Sequence, residues 1–273
     1  MKNSMRTSNG IPLIGFGTFP LRDSAAERAV SMALEEGFRH IDTAQIYGNE
    51  KPEGRALKSS GLVRGEVFVV TKVDPGNLGA AKFLASVETS IADLGGPADL
   101  LLIHWPPPES EIKAVIGRLV EAHRKGLASH IGISNFPTAL MRRAAALSPV
   151  RLIANQVEFH PLIDQAKVLT EARALGMTLT AYSPLARGLV LKEAVIQAIA
   201  RKHGRPPSEI ALRWIVQQGV AAIPMTTRRE NAQSNLRVLH FTLPEEDMAA
   251  ISALTARHHR VITPASMAGR WDT

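Results

Sequence analysis

The chain has 273 residues, 45% of them hydrophobic and 21% charged, which suits one substantial core and excludes intrinsic disorder and collagen-like repeats. Its 32 lysines and arginines outnumber 25 aspartates and glutamates, and the resulting +7 is scattered along the chain; this favours anionic ligands without marking a nucleic-acid partner. With no cysteine present, disulfides, thiolate metal sites and cysteine nucleophiles are excluded, and a reducing compartment is permitted.

Residues 1–10 are polar and lack the apolar stretch of a signal peptide, and the apolar runs elsewhere are short, so the chain is expected to be cytoplasmic and without a membrane partner. Eight short β-type runs alternate with longer amphipathic windows. The runs lie near 14–17, 38–42, 67–71, 99–103, 130–133, 153–157, 178–182 and 220–223. Several are apolar throughout, as strands covered on both faces should be.

In the first helical window, residues 24–27 (Ser-Ala-Ala-Glu) read as a capping box. Ala26, Ala29, Val30, Ala33 and Leu34 fall on one face, and Gly37 stands where a C′ glycine belongs. The window before the last run is split by Pro206 and Pro207 into helices near 191–203 and 208–217. No linker interrupts the alternation, so residues 1–273 are expected to form a single domain.

Eight βα units in this length suit a closed (β/α)8 TIM barrel better than an open doubly wound sheet. Gly15-Phe16-Gly17 is not a dinucleotide fingerprint: the third glycine is missing, Pro20 comes soon after, and no helix opens from the turn.

Active sites of such barrels are built where strands end. Here those ends are polar: Asp42 with Tyr47 soon after, Lys72, His104, Ser134-Asn135, Asn155-Gln156, Tyr182-Ser183, and the stretch from Thr226 to Arg229. Four of these groups make chemical sense together. The phenol of Tyr47 is a poor acid unless a cation stabilises its phenolate; Lys72 can supply that cation, Asp42 can hold it, and His104 can donate to a substrate oxygen. Such a set can protonate a carbonyl oxygen, but no side chain supplies hydride, so an organic cofactor is required. Thr226 and Thr227, ahead of a helix expected near Arg229, offer a phosphate site, and Tyr182 offers a ring for a nicotinamide.

Blander readings stand beside these. An Asp and a Lys on adjacent strands also make a structural ion pair, a lone His after an apolar run is often a core residue, and Ser134-Asn135 before Pro137 also reads as turn chemistry. Tyr182 alone also reads as packing, and Arg228-Arg229 as a solvated helix start. His160, His258, His259 and Trp214 are assigned structural roles, and no spacing suggests a metal.

The stretches 37–50 (Gly-Phe-Arg-His-Ile-Asp-Thr-Ala-Gln-Ile-Tyr-Gly-Asn-Glu), Thr71-Lys72, 102–106 (Leu-Ile-His-Trp-Pro), 132–136 (Gly-Ile-Ser-Asn-Phe), 155–158 (Asn-Gln-Val-Glu) and 181–185 (Ala-Tyr-Ser-Pro-Leu) carry a resemblance to the aldo-keto reductases over essentially the whole chain. The likeness is greatest to the short bacterial members, the 2,5-diketo-gluconate and methylglyoxal reductases, through Thr227-Arg-Arg-Glu-Asn231 and Ser234-Asn235-Leu236. The resemblance implies NADPH-dependent reduction of a small aldehyde or ketone. It implies Tyr47 as general acid, tuned by Lys72 and Asp42, with His104 orienting the carbonyl.

It further implies Ser134, Asn135 and Gln156 on the carboxamide and Tyr182 stacked on the ring. Ser183, Leu185, Thr226, Thr227, Arg228 and Asn235 fall to the phosphate side, Phe19 and Trp105 to the pocket walls. Many members carry Lys where Met225 stands, Arg where Asn231 stands and Glu where Ser234 stands; Arg228 and Arg229 are the expected substitutes, with NADPH favoured over NADH. The short loop after Tyr182 implies that a clasp over the cofactor is missing and that cofactor exchange is fast.

The resemblance suggests a monomer. A redox-sensing subunit with little turnover, and a Schiff-base barrel using Lys72, are the alternatives from other classes. Short segments at 106–111 and 255–273 suggest an open pocket for small or polar carbonyls, and Trp271 is expected either to touch the site or to anchor the tail.

Overall fold

In the computed structural model, which describes residues 6–267 and 270–272, the apolar runs become strands β1 (Phe16–Gly17), β2 (His40–Asp42), β3 (Phe68–Val73), β4 (Ala98–Ile103), β5 (Ala128–Ser134), β6 (Leu152–Glu158), β7 (Thr178–Tyr182) and β8 (Ala221–Ala222). Each pairs in parallel with the next. The ring closes between the stretch ahead of β1 and β8: Ile14 bridges Ala222, Gly15 N donates to Ala222 O at 2.9 Å, and Ala222 N donates to Leu13 O at 2.8 Å. The expected (β/α)8 TIM barrel is therefore the observed fold.

Parallel neighbours need crossovers, and the amphipathic windows supply them. They form α1 (Asp23–Glu35), α2 (Glu50–Ser59), α3 (Phe83–Leu94), α4 (Ile112–Arg124), α5 (Thr138–Leu147), α6 (Ala166–Ala174), α7 (Ala194–His203), α8 (Pro207–Gln217), α9 (Arg229–Arg237) and α10 (Glu245–Ser252). The larger apolar core lies between strands and helices, and a smaller one, including Phe68, Val70, Leu100, Leu102, Ala154 and Ala221, fills the barrel.

The apolar face expected for α1 is the buried one, and Gly37, at φ +103°, ends the helix while Phe38 N reaches back to Ala33 O. Its start differs from expectation. The amides of Ala25 and Ala26 are satisfied by the backbone carbonyl of Arg22, so Ser24 already lies inside the first turn, and Glu27 pairs with Arg55 on α2 at 2.8 Å instead of closing a capping box. The Gly15-Phe16-Gly17 pair has a packing cause. A Cβ on Gly15 would meet the His40 ring at 2.6 Å and one on Gly17 would meet Ile223 O at 2.6 Å, so the small residues let the first strand close on its two neighbours.

Candidate active site

Side chains alternate across a strand, so a residue two positions beyond the last apolar inner one also points inward. On β3 the inner series is Phe68, Val70 and Lys72; on β4 it is Leu100 and Leu102, continued by His104; on β2 it is His40 and Asp42. Register keeps these series level: Asp42 pairs with Val70, Lys72 with Leu102, Ser134 with Gln156, and Glu158 with Tyr182. The strand ends thus deliver Asp42, Lys72, His104, Ser134, Gln156 and Tyr182 to one rim.

Lys72 is fully buried. Its ammonium donates to Asp42 Oδ1 at 2.5 Å and to Thr43 O at 2.7 Å, while Asp42 Oδ2 accepts from Gln156 Nε2 at 2.6 Å. Burial pulls the ammonium toward deprotonation, but Asp42, then Tyr47, outweigh it and raise its pKa above the usual lysine value. Tyr47 sits in the short turn between β2 and α2, with Lys72 Nζ 5.1 Å from its ring centre. Burial raises its phenol above the ordinary tyrosine range, and the charge of Lys72 pulls against that rise.

The His104 ring stands edge-on to Tyr47 with centroids 5.7 Å apart. Burial, with help from the charge of Lys72, pushes its pKa down to about 3, so the imidazole is neutral; its Nδ1 is buried without a protein partner. Neutral imidazole can donate a hydrogen bond to an oxygen without giving up a proton.

Around this centre, Ser134 Oγ donates to Gln156 O at 2.8 Å, Asn135 Nδ2 donates to His104 O at 3.0 Å, and the hydroxyl of Tyr182 donates to Asn135 Oδ1 at 2.7 Å. Asn135 is held at φ +65°. The loop after β7 is more strained still: Ser183, Ala186 and Arg187 all have positive φ, at 47°, 47° and 53°, and Gly188 comes next. Strain of this kind clusters at ligand clamps, and successive amides in such loops form anion cradles. Leu185 lies half-buried within it. Across the seam, Thr226 is buried and accepts from Arg228 N at 3.1 Å, Thr227 and Arg228 are exposed, and Asn235 is buried on α9.

Phe19, 56% exposed, tilts against Tyr47 at 5.1 Å, and Trp105 stacks on His104 at 6.2 Å. Trp271 stands edge-on to Trp105 at 6.3 Å, which settles its position at the site. The C-terminal segment is held there because Glu158 accepts from Val261 N and Ile262 N, at 2.6 and 2.9 Å, and Asp272 accepts from Thr138 N and Oγ1, at 2.9 and 2.7 Å. His160, expected to be structural, pairs with Glu158 at 2.9 Å.

Not every candidate is free for a ligand. Arg229 is paired with Glu35 at 2.6 Å and with Glu36, at the C-terminus of α1, so it ties helices together. Ser234 donates to Glu209 at 2.8 Å and Asn231 Nδ2 to Thr226 Oγ1 at 3.3 Å. Arg228, 3.7 Å from Glu230 at the surface, is the arginine left facing outward at this end.

Sequence reasoning gave no role to Glu53, fully buried on α2, or to Thr18, Thr43 and Asn49, which form a buried network behind Asp42. The usable signal for Glu53 was its place on the apolar stripe of α2 with Ala56 and Leu57. Among the described residues no cluster of His, Cys, Asp or Glu is arranged to hold a metal, and no helix is long and apolar enough to cross a membrane.

Comparison with known proteins places this geometry. Residues 13–256 match the family model described as Aldo/keto reductase family. The chain is 41% identical over 266 residues to methylglyoxal reductase DkgB of Escherichia coli O157:H7, covering 96% of this chain and 99% of that protein. It is 37% identical over 253 residues to an aldo-keto reductase of a Mycobacterium species (strain JLS), covering 92% of each. A crystal structure provisionally assigned as a 2,5-diketo-D-gluconic acid reductase B superposes with TM-score 0.94 at 41% identity, covering 100% of this chain and 99% of the other.

Proposed function

The chain belongs to the aldo/keto reductase family and is an oxidoreductase that reduces carbonyl compounds with a nicotinamide cofactor; from that premise we propose that its cofactor is NADPH, its substrate a small 2-oxo-aldehyde or keto-sugar acid, and its proton donor Tyr47. The observation that carries the assignment of Tyr47 is the ammonium of Lys72, locked between Asp42 and Thr43 O and 5.1 Å from the phenol ring. The redox-sensor alternative gains no support from the comparisons.

The residues present suit a nicotinamide dinucleotide. Ser134, Asn135 and Gln156 offer amide and hydroxyl groups to a carboxamide. The Tyr182 ring is fixed by its hydroxyl bond to Asn135, which leaves a flat face. The strained loop at Ser183 and Leu185, together with Thr226, Thr227, Arg228 and Asn235, supplies amides, hydroxyls and a cation for phosphates. When bound, the cofactor supplies the hydride.

The protein's own part is proton delivery and orientation. His104, neutral and flanked by Tyr47 and Trp105, donates to the carbonyl oxygen and fixes its direction. As negative charge grows on that oxygen, Tyr47 gives up its phenolic proton, and the resulting phenolate is stabilised by Lys72, whose charge Asp42 secures. Phe19, Trp105 and Trp271 exclude water from the exchange. The net positive charge favours carboxylated carbonyls. We take the working unit to be a cytoplasmic monomer in which the whole chain serves one barrel.

The test is loss of reduced-nicotinamide absorbance with methylglyoxal, 2,5-diketo-gluconate and an aromatic aldehyde, using NADPH and then NADH. Faster turnover with NADPH supports the cofactor assignment. Failure to oxidise either cofactor with any of the three would overturn the proposal.

A further inference from the structure

Glu53 is fully buried on α2, and neither of its carboxyl oxygens has a hydrogen-bond partner. Its polar neighbours explain this. The hydroxyls of Thr18 and Thr43 lie beside it, but each already donates elsewhere: Thr18 Oγ1 to Asp42 O at 3.0 Å, Thr43 Oγ1 to Asn49 Oδ1 at 2.7 Å. The side-chain amide of Asn49 is likewise committed, to Thr18 Oγ1 at 3.2 Å and Leu21 O at 3.0 Å. Those two hydroxyls still pull the carboxyl toward ionisation, against its burial.

The charges nearby favour the acid form. Glu50 on the same helix and Asp42 on β2 both oppose ionisation of Glu53. From β3, the ammonium of Lys72 is already bonded to Asp42 and Thr43 O. From α3, Asp93 adds a further negative charge beside Glu50. Burial first of all, with Glu50 and Asp42 adding to it, pushes Glu53 up to about 8 against the pull of the two threonine hydroxyls. In turn, a charge on Glu53 holds the proton of Tyr47 more tightly.

We propose that Glu53 is a positioning residue for proton transfer: it is a neutral acid while the enzyme reduces carbonyls, and its ionisation slows proton donation by Tyr47. This rests on the reductase reading above. Glu53 touches neither substrate nor cofactor in this scheme; it acts through the field it adds behind Asp42 and Lys72.

The test mixes NADPH-loaded enzyme with methylglyoxal in single turnovers from about pH 6 to about pH 10, so that product release does not mask the chemical step. The wild-type rate is expected to step down about fivefold through about pH 8 to a plateau, a partial fall because Tyr47 and Lys72 remain in place. Glu53→Gln and Glu53→Val should both lack the step. A step of equal size in both variants, or none in the wild type, overturns the proposal.

Thermal midpoints read the proton on Glu53 independently of turnover. A carboxyl whose pKa is raised by folding contributes stability below its unfolded value and loses it as pH climbs to the folded value. The wild type should therefore lose stability relative to Glu53→Gln between about pH 5 and about pH 8. A constant difference overturns the neutral Glu53. If the enzyme reduces nothing while the difference still grows, the reductase reading and the effect on Tyr47 fail, and only the buried neutral acid stands.

Discussion

Gln156 Nε2 donates to Asp42 Oδ2 at 2.6 Å, joining β6 to β2 across the width of the barrel. Asp42 is thus held from both sides, one oxygen by an amide and the other by Lys72 at 2.5 Å. Replacing Gln156 by Leu leaves a buried carboxylate oxygen unsatisfied. We expect a loss of about 1–3 kcal/mol in urea unfolding and a fall in kcat of roughly tenfold as Asp42 loosens its hold on Lys72. An unchanged unfolding midpoint would remove this bond from the account.

Tyr47→Phe removes the phenolic proton but keeps the ring between Phe19 and His104. The expected outcome is a drop in kcat of at least about a hundredfold with NADPH affinity preserved, as for loss of a general acid. Fluorescence titration with NADPH beside steady-state kinetics checks both halves. A kcat within threefold or so of wild type would take Tyr47 out of the reaction.

His104 is held near 3, far below the ordinary histidine value of 6.5. A histidine with a depressed pKa binds no proton in the native state between these limits, whereas the unfolded chain does, so stability contributed by this site is present above pH 6.5 and declines as pH falls toward 3. The kinetic corollary is that no acid limb in kcat/KM near neutrality belongs to His104. NMR titration of its ring carbons should show no shift between about pH 5 and 8, and a midpoint near the unperturbed value would refute the buried neutral form.

The two arginines at the start of α9 should behave differently. Arg229 is engaged by Glu35 and Glu36, so Arg229→Ala is expected to leave KM for NADPH nearly unchanged and to lower the unfolding midpoint only slightly, as loss of surface ion pairs does. Arg228 faces outward beside Thr226, and Arg228→Ala should raise KM for NADPH by about tenfold while sparing NADH, the mark of a 2′-phosphate contact. Equal effects on the two cofactors would assign Arg228 elsewhere.

The strands, the barrel and the placing of Asp42, Lys72 and His104 at one rim were legible because a single rule, alternation along a strand, governs both the apolar interior and the polar rim beyond it; Tyr47 lies off the strands, in the turn before α2. Phe68 and Val70 announce the direction of Lys72, and Leu100 and Leu102 that of His104. The features hidden from sequence depend on contacts between distant segments. Ser24 to Glu27 has the spacing of a capping box, yet the backbone turn at Arg22 places the helix start earlier and Arg55 claims Glu27. Arg229 reads as a phosphate ligand until the C-terminus of α1 is seen to occupy it. Glu53 is hidden for the opposite reason: a charged residue on an apolar stripe looks like an exposed edge, and only the fold reveals that Thr18 and Thr43 close over it.

The barrel is sealed where residues 13–17 meet β8, by only a few hydrogen bonds involving Leu13, Gly15, Gly17, Ala222 and Pro224. A nascent chain on the ribosome therefore carries β1 to β7 as an unsealed sheet until residues past 220 have emerged, with two raw edges and an apolar inner face of Phe68, Val70, Leu100 and Leu102 open to other chains. Premature termination shortly before β8 should thus give an aggregating product instead of a weakly active one, since the rim that carries the chemistry closes last.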